Sequence, residues 1–336
     1  MKFQGREAAQ LENNQIRIAV LREGGHIAEV LHKASGVNPL WVPPWPSIEP
    51  STYQAAMHPE YGGNSESKLL CGIMGHNLCL DVFGPPSSEE AAAGLGVHGE
   101  SSVLPYRIDS DGNRLQAVAE LPLAGLRFCR TLRFAAGGDT VEVSETVENR
   151  SATDRPIAWT QHVTLGPPFL QHGMTRIEFP AERSRTFEGD FGEVNLQPAA
   201  DFTWPIAPGL SGGAVDLSVF SNAARSSNYT AHLMNRNSAE AYFSVYSPTP
   251  KVQLQYRWQR ADFPWLGLWE ENRQRASAPW NGRTVALGLE FGVSPFPETR
   301  RAMIDRRELF GVPTYRWIAA QSSVTVQYQI SIRLSH

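Results

Sequence analysis

The sequence predicts an all-β protein, a large antiparallel sandwich, and two observations carry that prediction. Apolar runs with a period of two recur along nearly the whole chain, broken by Gly, Pro, Asn and Asp. Windows with helical periodicity are scarce, and many strands with few helices bury their apolar faces sheet against sheet. With 336 residues, 41% hydrophobic and 19% charged, the chain has enough apolar side chain for a sizeable core. Length alone suggests two domains, but large sandwiches run past about 200 residues as one unit. Without internal repeat, low-complexity stretch or charge-rich linker, one domain over residues 1–336 is expected.

Each element has its own signal. Gln15–Leu21 alternates with a period near two, and Gly24-Gly25 turns the chain into Ile27–Leu31. Pro43-Pro44-Trp45-Pro46 and the stretch Ser47–Gly63 read as a long loop, of a length usually functional or mobile. Ser88–Ala93 reads as a turn or two of helix behind a serine cap. Leu126–Phe134 alternates apolar and basic residues, as a half-buried antiparallel strand does. Ala135–Asp139 is a hairpin turn, and Thr140–Glu148 returns from it. Later runs are Ala241–Tyr246, Lys251–Trp258, Thr284–Val293 and Ser323–Leu334; the last is long and alternating and is expected in mid-sheet. Glu298–Phe310 is a second, weaker helical candidate.

Several function classes are disfavoured. A formal charge of −4 without blocks of like charge gives no footprint for nucleic acid. No apolar run approaches the ~18 residues of a membrane helix. Met1–Gln15 is polar and lacks the apolar core of a secretory signal. Cys71, Cys79 and Cys129 are odd in number and lack Cys-x-x-Cys spacing, which suits free thiols in a reducing compartment; a cytoplasmic protein is expected. His58-Pro-Glu60 and His98-Gly-Glu100 lack metal-ligand spacing, and the glycine pairs sit in turns without a following helix. Neither metal, nucleotide nor other cofactor is expected.

The most informative segment is Ala286-Leu-Gly-Leu-Glu290-Phe-Gly-Val-Ser-Pro-Phe-Pro297, one acid in an apolar strand closed by a Ser-Pro-x-Pro turn. An ionised carboxylate in such a strand costs several kcal/mol unless it is paired, so Glu290 is a candidate base with a raised pKa. With His98 in Val-His-Gly-Glu and His162 in Trp-Thr-Gln-His, it resembles the galactose mutarotase (aldose 1-epimerase) superfamily. Gly24-Gly25-His26-Ile27 is similar to the opening hairpin of that family, and Val147-Glu-Asn-Arg-Ser151 to the turn before its second histidine.

The resemblance implies an antiparallel β super-sandwich and a carbohydrate-binding isomerase that interconverts the anomers of a free sugar without metal or cofactor. It implies His162 as general acid, Glu290 as general base and His98 as a sugar contact near the ring oxygen. The usual early arginine has no clear match, Gly75-His76-Asn77 standing where it would be sought. The acid that grips the sugar hydroxyls has none either, and the segment Asp262–Asn272 is the place for a substitute. Trp265 or Trp269 is expected at the cleft rim, stacking on the sugar, and Glu271 among the sugar contacts. The expected partner is a small sugar, not nucleic acid or membrane, with the chain a monomer or homodimer. Two alternatives stand beside this reading: a carbohydrate sensor of the same fold without turnover, and a sugar-phosphate epimerase drawing on Arg257, Arg260, Arg273 or Arg275. A glycoside hydrolase needs two carboxylates flanking the bond, and one stands out here.

Overall fold

Strand outweighs helix, 47% to 8%, in the computed structural model, which describes residues 1–189 and 195–335. Sixteen of the described strands have four residues or more. In chain order they are β1 (Arg6–Glu12), β2 (Ile16–Leu21), β3 (Ile27–His32), β4 (His76–Asp81), β5 (Arg107–Ser110), β6 (Arg114–Leu121), β7 (Leu126–Phe134) and β8 (Thr140–Asn149). There follow β9 (Arg155–Leu165), β10 (Ala181–Thr186), β11 (Ser226–Met234), β12 (Glu240–Ser247), β13 (Val252–Gln259), β14 (Trp265–Asn272), β15 (Val285–Gly292) and β16 (Ser323–Leu334).

Two large antiparallel sheets are built from them. The first runs β1-β2-β3-β4-β9-β15-β14-β11-β10, with short strands at its edges; the second runs β12-β13-β16-β8-β7-β6-β5, with Arg176–Glu178 outside β12. β16 is central in the second sheet, between β13 and β8, where its length and alternation placed it. Gly24 and Gly25, both at positive φ (81° and 61°), make the turn between β2 and β3, a conformation glycine adopts without steric cost.

The sheets face each other across one apolar core. Ile18, Leu78, Trp159, Val163, Leu289 and Phe291 from the first meet Phe128, Leu132, Val143, Phe243 and Tyr256 from the second. The basic residues of β7 do not all face solvent, as simple alternation suggested. Arg130 lies on the inner face and is 1% exposed, with Nε donating to Glu145 at 2.7 Å and Nη1 to the Gly25 carbonyl at 2.9 Å. Glu145 also accepts from Gln161 Nε2 at 2.6 Å and from the Tyr328 hydroxyl at 2.9 Å, so the buried charge pair is enclosed by donors.

The central strands of the first sheet are buried on both faces. The long loop before β4 covers the outer face, and a second apolar cluster forms there from Trp41, Trp45, Tyr61, Leu69, Leu70 and Trp280. Double burial accounts for the nearly continuous apolar sequence around Glu290. Of the three short α-helices among the described residues, two fall where they were expected. Ser88–Ala92 starts with a capping box, Ser87 accepting from the Glu90 amide and Glu90 from the Ser87 amide, and Arg300–Arg306 starts at Thr299. The third, Ser67–Leu70, carries no sequence signal that singled it out. Among the described residues no helix is long and apolar enough to cross a membrane.

Candidate active site

The pairing register brings the sequence candidates together. Asn77 on β4, His162 on β9, Glu290 on β15, Gly267 on β14 and Ala231 on β11 form one row across five strands. Alternation sends this row to the outer face, while Gln161, Val163, Leu289 and Phe291 beside it face the core. The next row, Thr164, Gly288, Trp269 and Tyr229, shares that outer face. His98 arrives from the loop after β4, packing its ring on that of His162 with centroids 5.2 Å apart.

Glycine makes the space that Glu290 occupies. A Cβ at Gly288 would stand 2.5 Å from Glu290 Oε1, and one at Gly267 would overlap the Tyr229 hydroxyl. With both positions empty of side chain, the carboxyl turns toward His162 and the Tyr229 ring reaches in behind it. Glu290 Oε1 lies 3.0 Å from His162 Nε2, and His162 Nδ1 lies 3.0 Å from the Thr164 hydroxyl. The Tyr229 hydroxyl shares its one hydrogen between the Pro295 carbonyl, at 3.1 Å, and Glu290.

Burial sets the electrostatics. Glu290, 2% exposed, is pushed up to about 8 by desolvation, against the lowering effect of the Tyr229 hydrogen bond. His162, 6% exposed, is held well below its ordinary value by desolvation and then by His98. Both groups therefore favour their neutral forms, which leaves one mobile proton in the 3.0 Å contact between them. His98 is lowered to about 4, again by burial. Its Nδ1 donates to the Phe83 carbonyl at 2.5 Å, so its Nε2 is an acceptor. His98 takes a left-handed backbone conformation, φ 65°, that disfavours a side chain, a strain often found at functional sites.

A cleft of about 110 Å³ opens above the pair, and Trp41, Trp269, Trp280, Phe83, His98 and Arg275 are among its walls. At about 30 Å³ of liquid volume per water, that is room for a few waters or a comparably small ligand group. The Arg275 guanidinium lies over the Trp280 ring at 4.8 Å and over the Trp269 ring at 5.9 Å. A larger depression, about 450 Å³, lies on the outer face of the second sheet. Four of its charged side chains pair there, Arg133 with Glu142 at 2.7 Å and Arg257 with Glu240 at 3.1 Å, as on a solvated face.

The structure unites His98, His162, Glu290 and Trp269 in one cleft and leaves two expected contacts outside it. Trp265 is fully buried, its Nε1 donating to the Pro313 carbonyl at 3.0 Å. Glu271, also fully buried, accepts from the Gln274 amide at 2.7 Å and the Arg275 amide at 3.1 Å, and so shapes the turn that presents Arg275. In Gly75-His76-Asn77, where the arginine would be sought, His76 faces the core and bonds Gln161 at 2.9 Å. Asn77 faces the site beside His162, fully buried, with no partner for its amide nitrogen or oxygen. Tyr229, Thr164 and Trp280 were not singled out from sequence. β11 reads as Ser-Ser-Asn-Tyr-Thr-Ala-His, too polar to signal a strand until the other elements cover it.

Comparison with known proteins supports the architecture. No protein-family profile matches the chain, and no curated protein matches it by sequence. Solved structures do match over nearly the full length. A candidate aldose 1-epimerase from Klebsiella pneumoniae is similar with a TM-score of 0.66 at 12% identity, covering 99% of this chain and 81% of that one. Galactose mutarotase-like proteins from Clostridium acetobutylicum (TM-score 0.63, 11% identity, 100% and 98% covered) and Lactobacillus casei (TM-score 0.61, 12% identity, 97% and 100% covered) are similar too. The chain thus has the galactose mutarotase-like fold at a large sequence distance.

Proposed function

We propose that this chain is an aldose 1-epimerase that interconverts the anomers of a free sugar by opening and closing its ring. The observation that carries the reading is the His162–Glu290 contact, 3.0 Å long and buried at the foot of a small cleft with an aromatic wall. Ring opening takes a proton from the anomeric hydroxyl and gives one to the ring oxygen. A carboxylate and an imidazolium side by side supply both transfers, and closure on the other face of C1 returns the protons.

The proton inventory fits this chemistry. The pair holds one exchangeable proton, on Glu290 in the neutral form and on His162 after it crosses the contact. The crossing leaves the net charge unchanged, so burial does not oppose it as it would a lone ionisation. With the proton on His162, Glu290 is the base toward the anomeric hydroxyl and His162 the acid toward the ring oxygen. His98 Nε2 then accepts from a sugar hydroxyl, and Trp269 offers its ring to the sugar C–H groups. Arg275 stands 3.6 Å from Glu66 and 3.7 Å from Glu271, which offsets its charge and favours a neutral sugar over a sugar phosphate. Arg257 extends from the outer face of the second sheet to Glu240 and offers nothing to this cleft.

The test is NMR exchange spectroscopy or polarimetry over a panel of hexoses and pentoses with metal-free protein. Accelerated approach to anomeric equilibrium for at least one aldose is expected. Binding of aldoses with no acceleration of any of them would replace this reading with a sugar sensor.

A further inference from the structure

On the opposite, core-facing side of β11 and β14, at the end of the strands next to the Arg275 turn, four polar side chains form a square. Ser226 and Asn228 alternate with the cleft-facing Tyr229 on β11, and Glu270 and Asn272 alternate with the cleft-facing Trp269 on β14. Asn228 is the register partner of Glu270, and Ser226 of Asn272. All four are at most 4% exposed. The Ser226 hydroxyl donates to Glu270 Oε1, and Asn272 Nδ2 donates to the Ala223 carbonyl at 2.8 Å and to Ser226 Oγ at 3.3 Å.

The square is incompletely bonded. Asn228 is 1% exposed, and both its amide oxygen and its amide nitrogen lack a partner; Asn272 Oδ1 lacks one too. Asn228 and Glu270 face each other across the strand pair and do not bond. No Lys, Arg or His bonds Glu270 among the described residues, so a carboxylate there has nothing to balance its charge. A buried unpaired amide costs about 1–3 kcal/mol, and a buried carboxylate without a counter-charge costs more. Proteins seldom leave both in one place without something between them.

We propose that Glu270, Asn228, Asn272 and Ser226 bind a single hard cation, Ca²⁺ or Na⁺, through their side-chain oxygens. The donor set is all oxygen, one anionic and three neutral, which suits hard cations and lacks the nitrogen and sulfur donors that zinc and copper sites favour. A cation between Glu270 and Asn228 supplies the missing counter-charge and engages both unpartnered amide oxygens. A water in its shell takes the free Asn228 amide hydrogens. The single carboxylate balances one charge, so Na⁺ leaves the site neutral, whereas Ca²⁺ leaves one positive charge over and binds more weakly than at a multi-carboxylate site. Because Asn272 ends β14 two residues after the Ser226–Glu270 bond and three before Arg275, the ion would also fix the root of the turn that walls the cleft.

The experiment uses chelator-treated full-length protein. Thermal midpoints are measured in NaCl, CaCl₂ and choline chloride at matched ionic strength, with calorimetric titration of CaCl₂. A saturable rise in the midpoint with NaCl or CaCl₂ over choline chloride is expected, and which salt gives it identifies the ion; in the calcium case the stoichiometry is one per chain. Glu270→Gln and Asn228→Ala each abolish the salt-specific rise. Identical midpoints in all three salts would overturn the proposal, as would a rise that survives both substitutions. If neither variant folds, the wild-type salt series decides alone.

Discussion

His162 and Glu290 are register partners on neighbouring antiparallel strands, and their side chains meet at 3.0 Å on the outer face of the first sheet. Partners opposite each other in a ladder have Cβ atoms only about 4.5–5.5 Å apart. An acid–base pair placed this way is positioned by backbone hydrogen bonding rather than by loops, and its geometry is as rigid as the sheet. The 128 residues that separate the two in sequence (290 − 162) are spanned by fold closure alone.

The pH dependence of turnover follows from the proton count. The active pair carries one proton. Turnover falls at high pH when Glu290, pushed up to about 8, loses it, and at low pH when His162, held well below its usual value, gains a second. The expected profile of kcat/KM is a plateau across neutral pH with an alkaline limb near 8. An alkaline limb near 5 would show Glu290 to be an ordinary ionised carboxylate.

Tyr229→Phe removes the one hydrogen bond that opposes the burial of Glu290. The carboxyl rises further, so the alkaline limb moves to higher pH, and the rate falls because the base is harder to ionise. The pH-rate profile of the variant checks the direction of the move.

Glu290→Gln has a stability consequence of definite sign. A carboxyl whose folded pKa is raised contributes stability at low pH that is lost as pH climbs from its unfolded value through about 8. Glutamine does not ionise, so the variant should match the wild type near pH 4 and exceed it in thermal midpoint near pH 9. The difference is on the order of a few kcal/mol, each pKa unit being about 1.4 kcal/mol. Denaturation midpoints at the two pH values measure it, and a variant less stable than wild type at pH 9 contradicts the burial argument.

Gly288→Ala tests the space around the carboxyl. The new methyl group would stand 2.5 Å from Glu290 Oε1 and 3.1 Å from Trp269 Cε3, so one of them must move. A loss of roughly tenfold or more in kcat is expected, with a lower thermal midpoint, since overpacking a buried site costs about 1–3 kcal/mol. Unchanged kcat would mean that the contact with His162 does not matter.

Much of this molecule was legible in its sequence, and the exceptions have physical causes. Period-two runs gave β7, β8, β13 and β16, because each has one face in the core and one nearer solvent; β2 was found by the same period although it is buried on nearly every side. Glu290 stood out because double burial makes its strand apolar and the acid incongruous. β11 was overlooked for the opposite reason: its Ser, Asn, Thr and His side chains are buried in polar contacts that only the assembled sheet supplies. Trp265 and Glu271 were expected at the sugar on the strength of their segment, and neither reaches the cleft. Trp269 faces the cleft on the same side of the strand, but Trp265 is covered by Pro313 and Phe310, and Glu271 by the turn it holds. Arg130 broke the alternation of β7 because Glu145, on the neighbouring strand, is buried with it.

The measurement that bears most directly on the account is anomeric exchange by NMR for wild type, Glu290→Gln and His162→Asn on the same aldose, with binding measured in parallel. The wild type should accelerate exchange. Each variant should lose at least the ~10²-fold that positioned proton transfer supplies while still binding the sugar, and the double variant should lose little more. Wild-type acceleration that persists in Glu290→Gln would contradict the central claim.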